Sequence, residues 1–312
     1  MADRKIILVT GGSGLVGSAI RSLSFDYPKF EFVFPDSKSC RLTRQDHVER
    51  MFEIYNPDMV IHCAARVGGI GRNLATPVQQ FRDNILMNTM VIDEAHFWGV
   101  RRMISFSSAC AFPGDVTEQT EEQLHDRPPF PAHESYAYAK RMVDIQNRAY
   151  NKQYGTQYFS VIPGNIFGER DNFDLDNGHV VPSLIRKCYE AKLNNEPFKI
   201  WGTGDACREF IYAHDVAKAC IELLLAERWE ERVIVSGDKP VKIGHMAKII
   251  ADTLEYNNLE YLVDKPEGQM YRGSSSSVLT DLVPEFSRTP VNEALKKTID
   301  WFVKVYPNAR GI

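Results

Sequence analysis

The side chains best suited to proton transfer lie in two short segments of the sequence. The segment SFSSACAFP places Cys110 two residues after Ser108, at the end of an apolar run. The segment ESYAYAKRM places Tyr136 and Lys140 four residues apart, so that they share one face of a helix. A nearby ammonium stabilises an ionised phenol, and Tyr136 could then exchange a proton with a carbonyl or hydroxyl group. Each residue alone also has an ordinary interpretation: a strand cap, a small core thiol, an aromatic and a surface lysine.

A glycine-rich turn near the N-terminus predicts a dinucleotide site. The apolar run KIILVT leads directly into TGGSGLVGSAI, whose glycines follow the spacing GxxGxxG. Glycines allow a tight turn and let backbone amides approach a pyrophosphate at the positive end of the following helix. A plain tight turn is the alternative, but the position between a strand and a helix favours the dinucleotide. The residues predicted to contact it here are Gly11, Ser13, Gly14, Leu15, Val16 and Gly17.

The residues at the end of the second predicted strand, in FVFPDSKSCRL, indicate which dinucleotide binds. An acidic residue there would bind the ribose 2′-hydroxyl of NAD, whereas a cation would favour a 2′-phosphate. Asp36 and Lys38 are both present. Ser37 and Lys38 could hold a 2′-phosphate through charge-assisted hydrogen bonds, with Asp36 facing solvent, and we therefore predict NADPH. Binding of NAD through Asp36 is the alternative.

Short apolar runs alternate with longer amphipathic segments through the first half of the chain. Runs such as FEFVF and QYFSVIPG are typical of buried strands, and segments such as DHVERMFEIY are typical of helices. The alternation predicts an α/β fold, a Rossmann-type doubly wound parallel sheet with a smaller C-terminal α/β substrate-binding lobe. Since RVIVSG could return to the main sheet, we expect an NADP-binding domain of residues 1–170 plus 210–237. Residues 171–209 plus 238–312 would then form the substrate-binding lobe.

Composition and charge argue against several classes of protein. The 312 residues are 44% apolar, enough to bury a large core, and a net charge of −4 gives no general attraction for nucleic acid or anionic membranes. The first residues lack a cleavable leader pattern, and no apolar stretch approaches the roughly 18 residues of a membrane span. The six cysteines show no zinc-site spacing. We expect a soluble cytoplasmic protein with reduced thiols, no metal, and no nucleic-acid or membrane partner.

These motifs together resemble one enzyme family. TGGSGLVG, SSAC and the pair Tyr136 and Lys140 are similar to the pattern of the extended short-chain dehydrogenase/reductase family, whose members act on nucleotide-activated sugars. The resemblance implies that Ser108 orients the substrate oxygen, that Tyr136 transfers its proton, and that Lys140 also reaches the nicotinamide ribose. Further cofactor contacts are implied in CAARVGGI and in the PGNIF loop beside the nicotinamide, namely Ala64, Ala65, Pro163, Asn165 and Ile166.

Other segments resemble family members that carry out two reactions on one GDP-linked sugar. SSACAFP, PGNIFGERDNF, NGHVVPSLI, WGTG and REFIY are similar to enzymes that epimerise C3 and C5 of GDP-4-dehydro-6-deoxy-D-mannose and then reduce C4 with NADPH. The resemblance implies that Cys110 and His179 form the acid-base pair of the epimerisation, with His179 also beside the cofactor. Which of them is the base stays open. Outside this pattern, His179 would be interpreted as a capping or core histidine.

Such a reaction suits these residue types. A 4-keto group acidifies the hydrogens on both neighbouring carbons, so a base can remove one and form an enolate. The negative oxygen then lies at O4, where Ser108 and Tyr136 can donate hydrogen bonds. Inversion requires proton donation on the face opposite to abstraction, and therefore two groups. A thiol with a pKa near 8.5 and an imidazole with a pKa near 6.5 both exchange protons efficiently close to neutral pH.

The resemblance also implies residues for the GDP-sugar. Lys187, Trp201, Arg208 and Glu267 match positions that hold the nucleotide or the sugar. Cations suit a pyrophosphate, and the flat ring of Trp201 could pack on a sugar or a base. Lys187 could instead be a solvated helix lysine. Glu267 stands where the family more often has aspartate.

The helical segments 77–99 and 137–154 resemble a pair that forms a four-helix dimer interface in this family, so we expect a homodimer. They could instead cover only their own sheet.

Ala109 and Cys110 stand where family dehydratases carry an Asp-Glu pair, which argues against dehydration. A 4-epimerase or 4-reductase for another nucleotide sugar is the nearest alternative, and an NADPH-binding redox sensor would not need Ser108, Tyr136 and Lys140 together.

Overall fold

The computed structural model describes residues 4–265 and 270–312. Its strands, in chain order, are β1 (Lys5–Thr10), β2 (Phe30–Val33), β3 (Met59–His62), β4 (Arg102–Phe106), β5 (Glu118–Gln119), β6 (Gln157–Pro163), β7 (Asn165–Phe167), β8 (Phe198–Trp201), β9 (Cys207–Arg208), β10 (Phe210–Tyr212), β11 (Arg232–Val235), β12 (Val241–Lys242), β13 (Leu259–Leu262) and β14 (Tyr271–Ser274). Its α-helices are α1 (Leu15–Leu23), α2 (Gln45–Tyr55), α3 (Ile70–Ala75), α4 (Pro77–Phe97), α5 (Glu134–Tyr154), α6 (Val180–Asn194), α7 (Ala213–Leu225), α8 (Ile243–Thr253), α9 (Ser277–Leu282) and α10 (Val291–Val305). Across these described ranges, no helix combines the length and apolar character needed to cross a membrane.

The main sheet is parallel throughout and has helices on both faces. In the described part of the chain its six strands run in the order β2-β1-β3-β4-β6-β11. On β1, Ile7 and Val9 pack on one side with Ile20 of α1, whereas Leu8 packs on the other side with Phe52 of α2. Burial on both faces is the reason that these strands are continuous apolar runs in the sequence. The predicted Rossmann-type fold is confirmed, and RVIVSG returns to the sheet as β11.

The order of the strands reverses at β1, and this reversal positions the cleft described below. β2 lies on one side of β1 and β3 on the other, so a crevice opens beyond the carboxyl ends of β1 and β3. There Thr10 Oγ1 and His62 Nδ1 lie 2.7 Å apart, and His62 Nε2 lies 3.0 Å from Asn88 Oδ1 of α4. Burial lowers the pKa of His62 to about 3, so a neutral imidazole joins the two strand ends.

A second hydrophobic core lies toward the C-terminus. It includes Ile185 of α6, Phe198 of β8, Ile250 of α8 and Phe302 of α10, all buried. Short strand pairs surround it: β8 with β13, β7 with β10, and β9 with β12 and β14. Because β14 also pairs with β5, the C-terminal residues contact the segment that follows β4.

Candidate active site

One cleft of about 1720 Å³ extends from the carboxyl ends of the sheet strands to the C-terminal core. Most residues predicted from the sequence line it, although they come from distant parts of the chain. Lys38 is exposed and is not among the described lining residues, and Glu267 lies outside the described residues. The predicted residues that line the cleft are Gly11, Ser13, Gly14, Leu15, Val16, Gly17, Ser37, Ala64, Ala65, Ser108, Cys110, Tyr136, Lys140, Pro163, Asn165, Ile166, His179, Lys187, Trp201 and Arg208.

The glycine-rich turn closes one end of the cleft. Gly11 has φ +72°, a left-handed conformation that glycine adopts readily, and its carbonyl oxygen accepts a hydrogen bond from Gly14 N at 2.9 Å. A Cβ on Gly17 would lie 2.2 Å from Gly11 O, so α1 can approach the turn this closely only with glycine there. The start of α1 consequently lines the cleft, where its free amides can hold a pyrophosphate.

We predict that Gly17→Ala weakens dinucleotide binding about tenfold and lowers the free energy of unfolding by about 1–3 kcal/mol, because backbone must move to admit the methyl group. Fluorescence titration with NADPH and thermal unfolding measure the two effects. Ser18→Ala is the matched control, since it changes the next residue of α1 without adding an atom. Wild-type affinity and stability in Gly17→Ala would contradict the close packing described here.

The loop after β2, which was predicted to select the dinucleotide, lines the cleft with a different cation from the predicted Lys38. Asp36 organises the loop itself: its Oδ1 accepts from Lys38 N at 3.2 Å and its carbonyl oxygen accepts from Cys40 N at 2.8 Å. Ser37 lines the cleft, and so does Arg41, which was not predicted. The sequence could have indicated Arg41, because it is a second cation in the same SKSCRL segment. Arg41 supplies a cation at the cleft, and the hydrogen bonds of Asp36 lie within the loop itself. Both features favour binding of a 2′-phosphate over binding of a free ribose 2′-hydroxyl.

Ser108 and Cys110 lie in the turn that follows β4. Ser108 Oγ accepts a hydrogen bond from Cys110 N at 3.2 Å, which begins the 3-10 turn Ala109–Ala111 and leaves both side chains on the cleft. Arg272 of β14 donates to Ala109 O at 2.5 Å and anchors the turn from the C-terminal segment. Arg272 is 163 residues away in the chain, so no local pattern could have indicated this contact.

Tyr136 and Lys140 lie on the first turns of α5, one helical turn apart as predicted. Lys140 is buried, and its Nζ donates to Phe106 O at 2.7 Å and lies 6.0 Å from the centre of the Tyr136 ring. Burial lowers the pKa of Lys140 to about 8, so its ammonium persists at neutral pH. Burial raises the pKa of Tyr136, and the interaction with Ser108 offsets only part of this effect. The phenol is therefore protonated at neutral pH, and the nearby Lys140 ammonium bonds to a main-chain carbonyl of β4.

His179 immediately precedes α6, with about half of its side chain (51%) exposed in the cleft. Its Nδ1 lies 3.7 Å from Oδ1 of Asp171, a carboxylate that is 4% exposed. Asp171 raises the pKa of the imidazole. Asp171 lies within the segment PGNIFGERDNF, but its spacing from His179 follows no secondary-structure period, and for that reason it was not predicted.

The C-terminal part of the cleft supplies cations and an aromatic ring. Lys187 Nζ lies 5.0 Å from the centre of the Trp201 ring, and Trp201 is 54% exposed. Arg208 of β9 also lines the cleft. Burial lowers the pKa of both Lys187 and Arg208, as expected for cations partly withdrawn from water. An anionic diphosphate would offset that cost, and the open face of Trp201 can pack on a planar base or a sugar.

Comparison with known proteins shows the family to which this chain belongs. The model of the NAD dependent epimerase/dehydratase family matches residues 7–236. The GDP-L-fucose synthase of Dictyostelium discoideum is 39% identical, over 99% of this chain and 98% of that protein. The Escherichia coli GDP-L-fucose synthase is 30% identical, over 99% and 100%. The crystal structure of a GDP-L-fucose synthetase from Naegleria fowleri bound to NADP is 36% identical and covers 99% of this chain and 96% of that one, with a TM-score of 0.94. The chain therefore belongs to the NAD dependent epimerase/dehydratase family and, within it, to the group of GDP-L-fucose synthases.

Proposed function

We propose that this protein converts GDP-4-dehydro-6-deoxy-D-mannose to GDP-L-fucose, as a bifunctional 3,5-epimerase and NADPH-dependent 4-reductase. The observation that carries the proposal is that one cleft is lined by both sets of groups: Cys110 and His179 for epimerisation, and Ser108, Tyr136 and Lys140 for reduction. A single bound sugar can therefore meet both sets without leaving. The family relationship supports the same activity.

The residues at the glycine-rich end fit NADPH. The turn at Gly11 and Gly17 has no room for a Cβ, which leaves backbone amides accessible to a pyrophosphate. Ser37 and Arg41 line the cleft near the end of β2 and would hold the 2′-phosphate, together with the exposed Lys38. Pro163, Asn165 and Ile166 would lie beside the nicotinamide, and Lys140 beside its ribose. When bound, NADPH supplies the hydride that reduces C4.

In the epimerisation, Cys110 and His179 are proposed to act on C3 and C5. Cys110, as thiolate, removes the proton next to the keto group, and Ser108 and Tyr136 donate hydrogen bonds to the enolate oxygen at O4. His179 returns a proton to the opposite face. The raised pKa of His179 supports its role as the acid, because the imidazolium persists to higher pH than in a free histidine.

In the reduction, Tyr136 is proposed to protonate O4 as C4 is reduced. Its phenol is protonated at neutral pH, which suits a donor. Lys140 keeps its charge below a pKa of about 8 and stabilises the phenolate left after transfer. At the other end of the cleft, Lys187 and Arg208 would bind the diphosphate and Trp201 the base or sugar. A contact from Glu267 stays a prediction.

The experiment that tests this function is NADPH oxidation with GDP-4-dehydro-6-deoxy-D-mannose in deuterated water, followed by NMR of the sugar product. We expect NADPH consumption and deuterium at both C3 and C5 of GDP-L-fucose. Consumption without deuterium would leave a simple 4-reductase, with Cys110 a packing residue. No consumption with NADPH or NADH would exclude this substrate.

Domain organisation and location are proposed on the same basis. Residues 1–170 plus 210–237 would form the NADP-binding domain, because β11 completes the main sheet, and residues 171–209 plus 238–312 would form the substrate-binding lobe around the second core. All six cysteines are free thiols, which fits a cytoplasmic protein in a reducing compartment.

A homodimer is proposed from the exposed apolar side chains of α4 and α5. Val78 and Phe81 share one face of α4 and are 65% and 44% exposed, and Met142 and Ile145 share one face of α5 and are 39% and 41% exposed. Both helices already pack on the sheet, so these side chains are available to the same pair of helices in a second copy.

We predict that Ile145→Asp produces a monomer, because a buried carboxylate at the interface would lack a partner. Sedimentation equilibrium should give half the wild-type mass. Leu193→Asp, at a more exposed apolar position on α6 (58% against 41% for Ile145), should leave the mass at the wild-type value. A wild-type protein that is already monomeric, or an unchanged mass for Ile145→Asp, would contradict the proposed interface.

A further inference from the structure

The loop between β7 and α6 contains a buried carboxylate with an incomplete set of partners. Asp171 is buried, and its Oδ1 accepts a hydrogen bond from Asn172 N at 2.7 Å. Among the described residues, Oδ2 has no hydrogen-bonding partner, and the cationic group within ion-pair distance is the imidazole of His179. A buried, partly unsatisfied carboxylate is unfavourable unless a nearby positive charge offsets it.

The surroundings of His179 otherwise oppose its protonation. The imidazole lies at the N-terminus of α6, where the helix dipole disfavours a positive charge. Partial burial and, to a smaller extent, Arg310 in the C-terminal segment also act against the imidazolium. Asp171 is the negative group that acts on the ring, and it outweighs the opposing effects, so that the pKa of His179 is raised above its ordinary value.

We propose that Asp171 is a positioning residue that keeps His179 as an imidazolium, with Nδ1 turned to Asp171 and Nε2 left for the cleft. The inference rests on the proposed epimerase activity and assigns the proton that His179 transfers. In each inversion Cys110 accepts the proton from the sugar carbon, and Nε2 of His179 gives its proton to the opposite face of the enolate carbon. The neutral ring that results keeps its Nδ1 proton toward Asp171. Solvent then reprotonates Nε2 and takes the proton from the Cys110 thiol, which restores both groups for the second carbon.

A titration of His179 by NMR tests the positioning role without any turnover. We compare the histidine ring carbon and proton shifts of the wild-type protein and Asp171→Asn, and identify the His179 signal by its loss in His179→Gln. Asparagine keeps an oxygen that can accept from Asn172 N but removes the charge. We expect His179 to titrate above 6.5 in the wild type and about one unit or more lower in Asp171→Asn. Asp176→Asn removes one charge from an exposed position of the same loop and should leave the His179 titration unchanged.

Two results would overturn the proposal. One is a wild-type His179 that titrates at or below 6.5, a measurement that decides the matter even if Asp171→Asn fails to fold. The other is a folded Asp171→Asn protein, verified by thermal unfolding, in which His179 titrates as in the wild type.

Deuterium incorporation gives a separate readout of the same inference. At pH 8 we expect Asp171→Asn to incorporate deuterium at C3 and C5 about tenfold more slowly than the wild type, with the deficit shrinking as the pH is lowered and the imidazolium forms again. NADPH affinity should stay the same. A rate lowered equally at every pH would indicate a merely structural role for Asp171. If the wild-type protein incorporates no deuterium, the proposed activity fails, while the NMR titration still decides whether Asp171 holds the imidazolium.

Discussion

Cys110→Ser should lose turnover by on the order of 10²- to 10⁴-fold while it keeps the fold and NADPH binding. Serine preserves the size of the side chain, and its main-chain amide can still donate to Ser108 Oγ, as in the wild type. The hydroxyl is a far weaker acid than the thiol, so almost none of it is ionised near neutral pH and it cannot remove a proton from the sugar. Deuterium should accordingly fail to appear at C3 and C5.

The measurement for Cys110→Ser is the rate of deuterium incorporation in deuterated water, beside NADPH binding and thermal unfolding. Cys207→Ser is the matched control: Cys207 is also a half-buried thiol, but it donates to Asp205 O at 3.4 Å and is not among the residues described as lining the cleft. It should react at close to the wild-type rate. Wild-type deuterium incorporation by Cys110→Ser would exclude Cys110 as the base.

Tyr136→Phe should lower NADPH oxidation by on the order of 10³-fold, because the reduction loses both its proton donor and one hydrogen bond to O4. The exchange of the C3 and C5 hydrogens should fall much less, since Cys110 and His179 remain and Ser108 can still donate to the enolate oxygen. The variant would then separate the two reactions, and a deuterated 4-keto sugar would accumulate without consumption of NADPH.

NMR of the sugar with parallel absorbance measurements of NADPH checks this expectation. Tyr138→Phe is the control on the same helix. The guanidinium carbon of Arg141 lies 5.5 Å from the centre of the Tyr138 ring, and Tyr138 is not among the residues described as lining the cleft. Equal losses of exchange and reduction in Tyr136→Phe would mean that Tyr136 is required for the enolate as much as for reduction. Undiminished NADPH oxidation would exclude Tyr136 as the donor.

Several features of this protein could be predicted from the sequence because they depend on local patterns. The glycine spacing after KIILVT required a tight turn before a helix, and Gly11 and Gly17 have the predicted roles in that turn. The four-residue spacing placed Tyr136 and Lys140 one turn apart on α5. Alternation of apolar runs with amphipathic segments predicted a sheet covered on both faces, since strands buried in this way need side chains that are apolar throughout.

Motif resemblance extended the prediction to residues without a periodic relation. Cys110 and His179 come from separate loops, and only the family pattern connected them before the fold was known. The comparisons confirm the family, and the cleft brings both residues to one surface. Lys38, which was predicted from its charge and not from the family pattern, lies outside the described lining, whereas Arg41 of the same segment lies on it.

Only the tertiary structure determined which groups are buried and which distant segments contact each other. The rise in the pKa of Tyr136 through burial, the anchor from Arg272 to the turn at Ala109 and the carboxylate of Asp171 behind His179 have no signature in the sequence. The physical reason is that the cost of a charge depends on how much water surrounds it and on which groups lie within a few ångströms. Local sequence sets the type and spacing of the side chains, whereas packing between distant segments sets their solvation and partners, and with them the direction of each proton transfer.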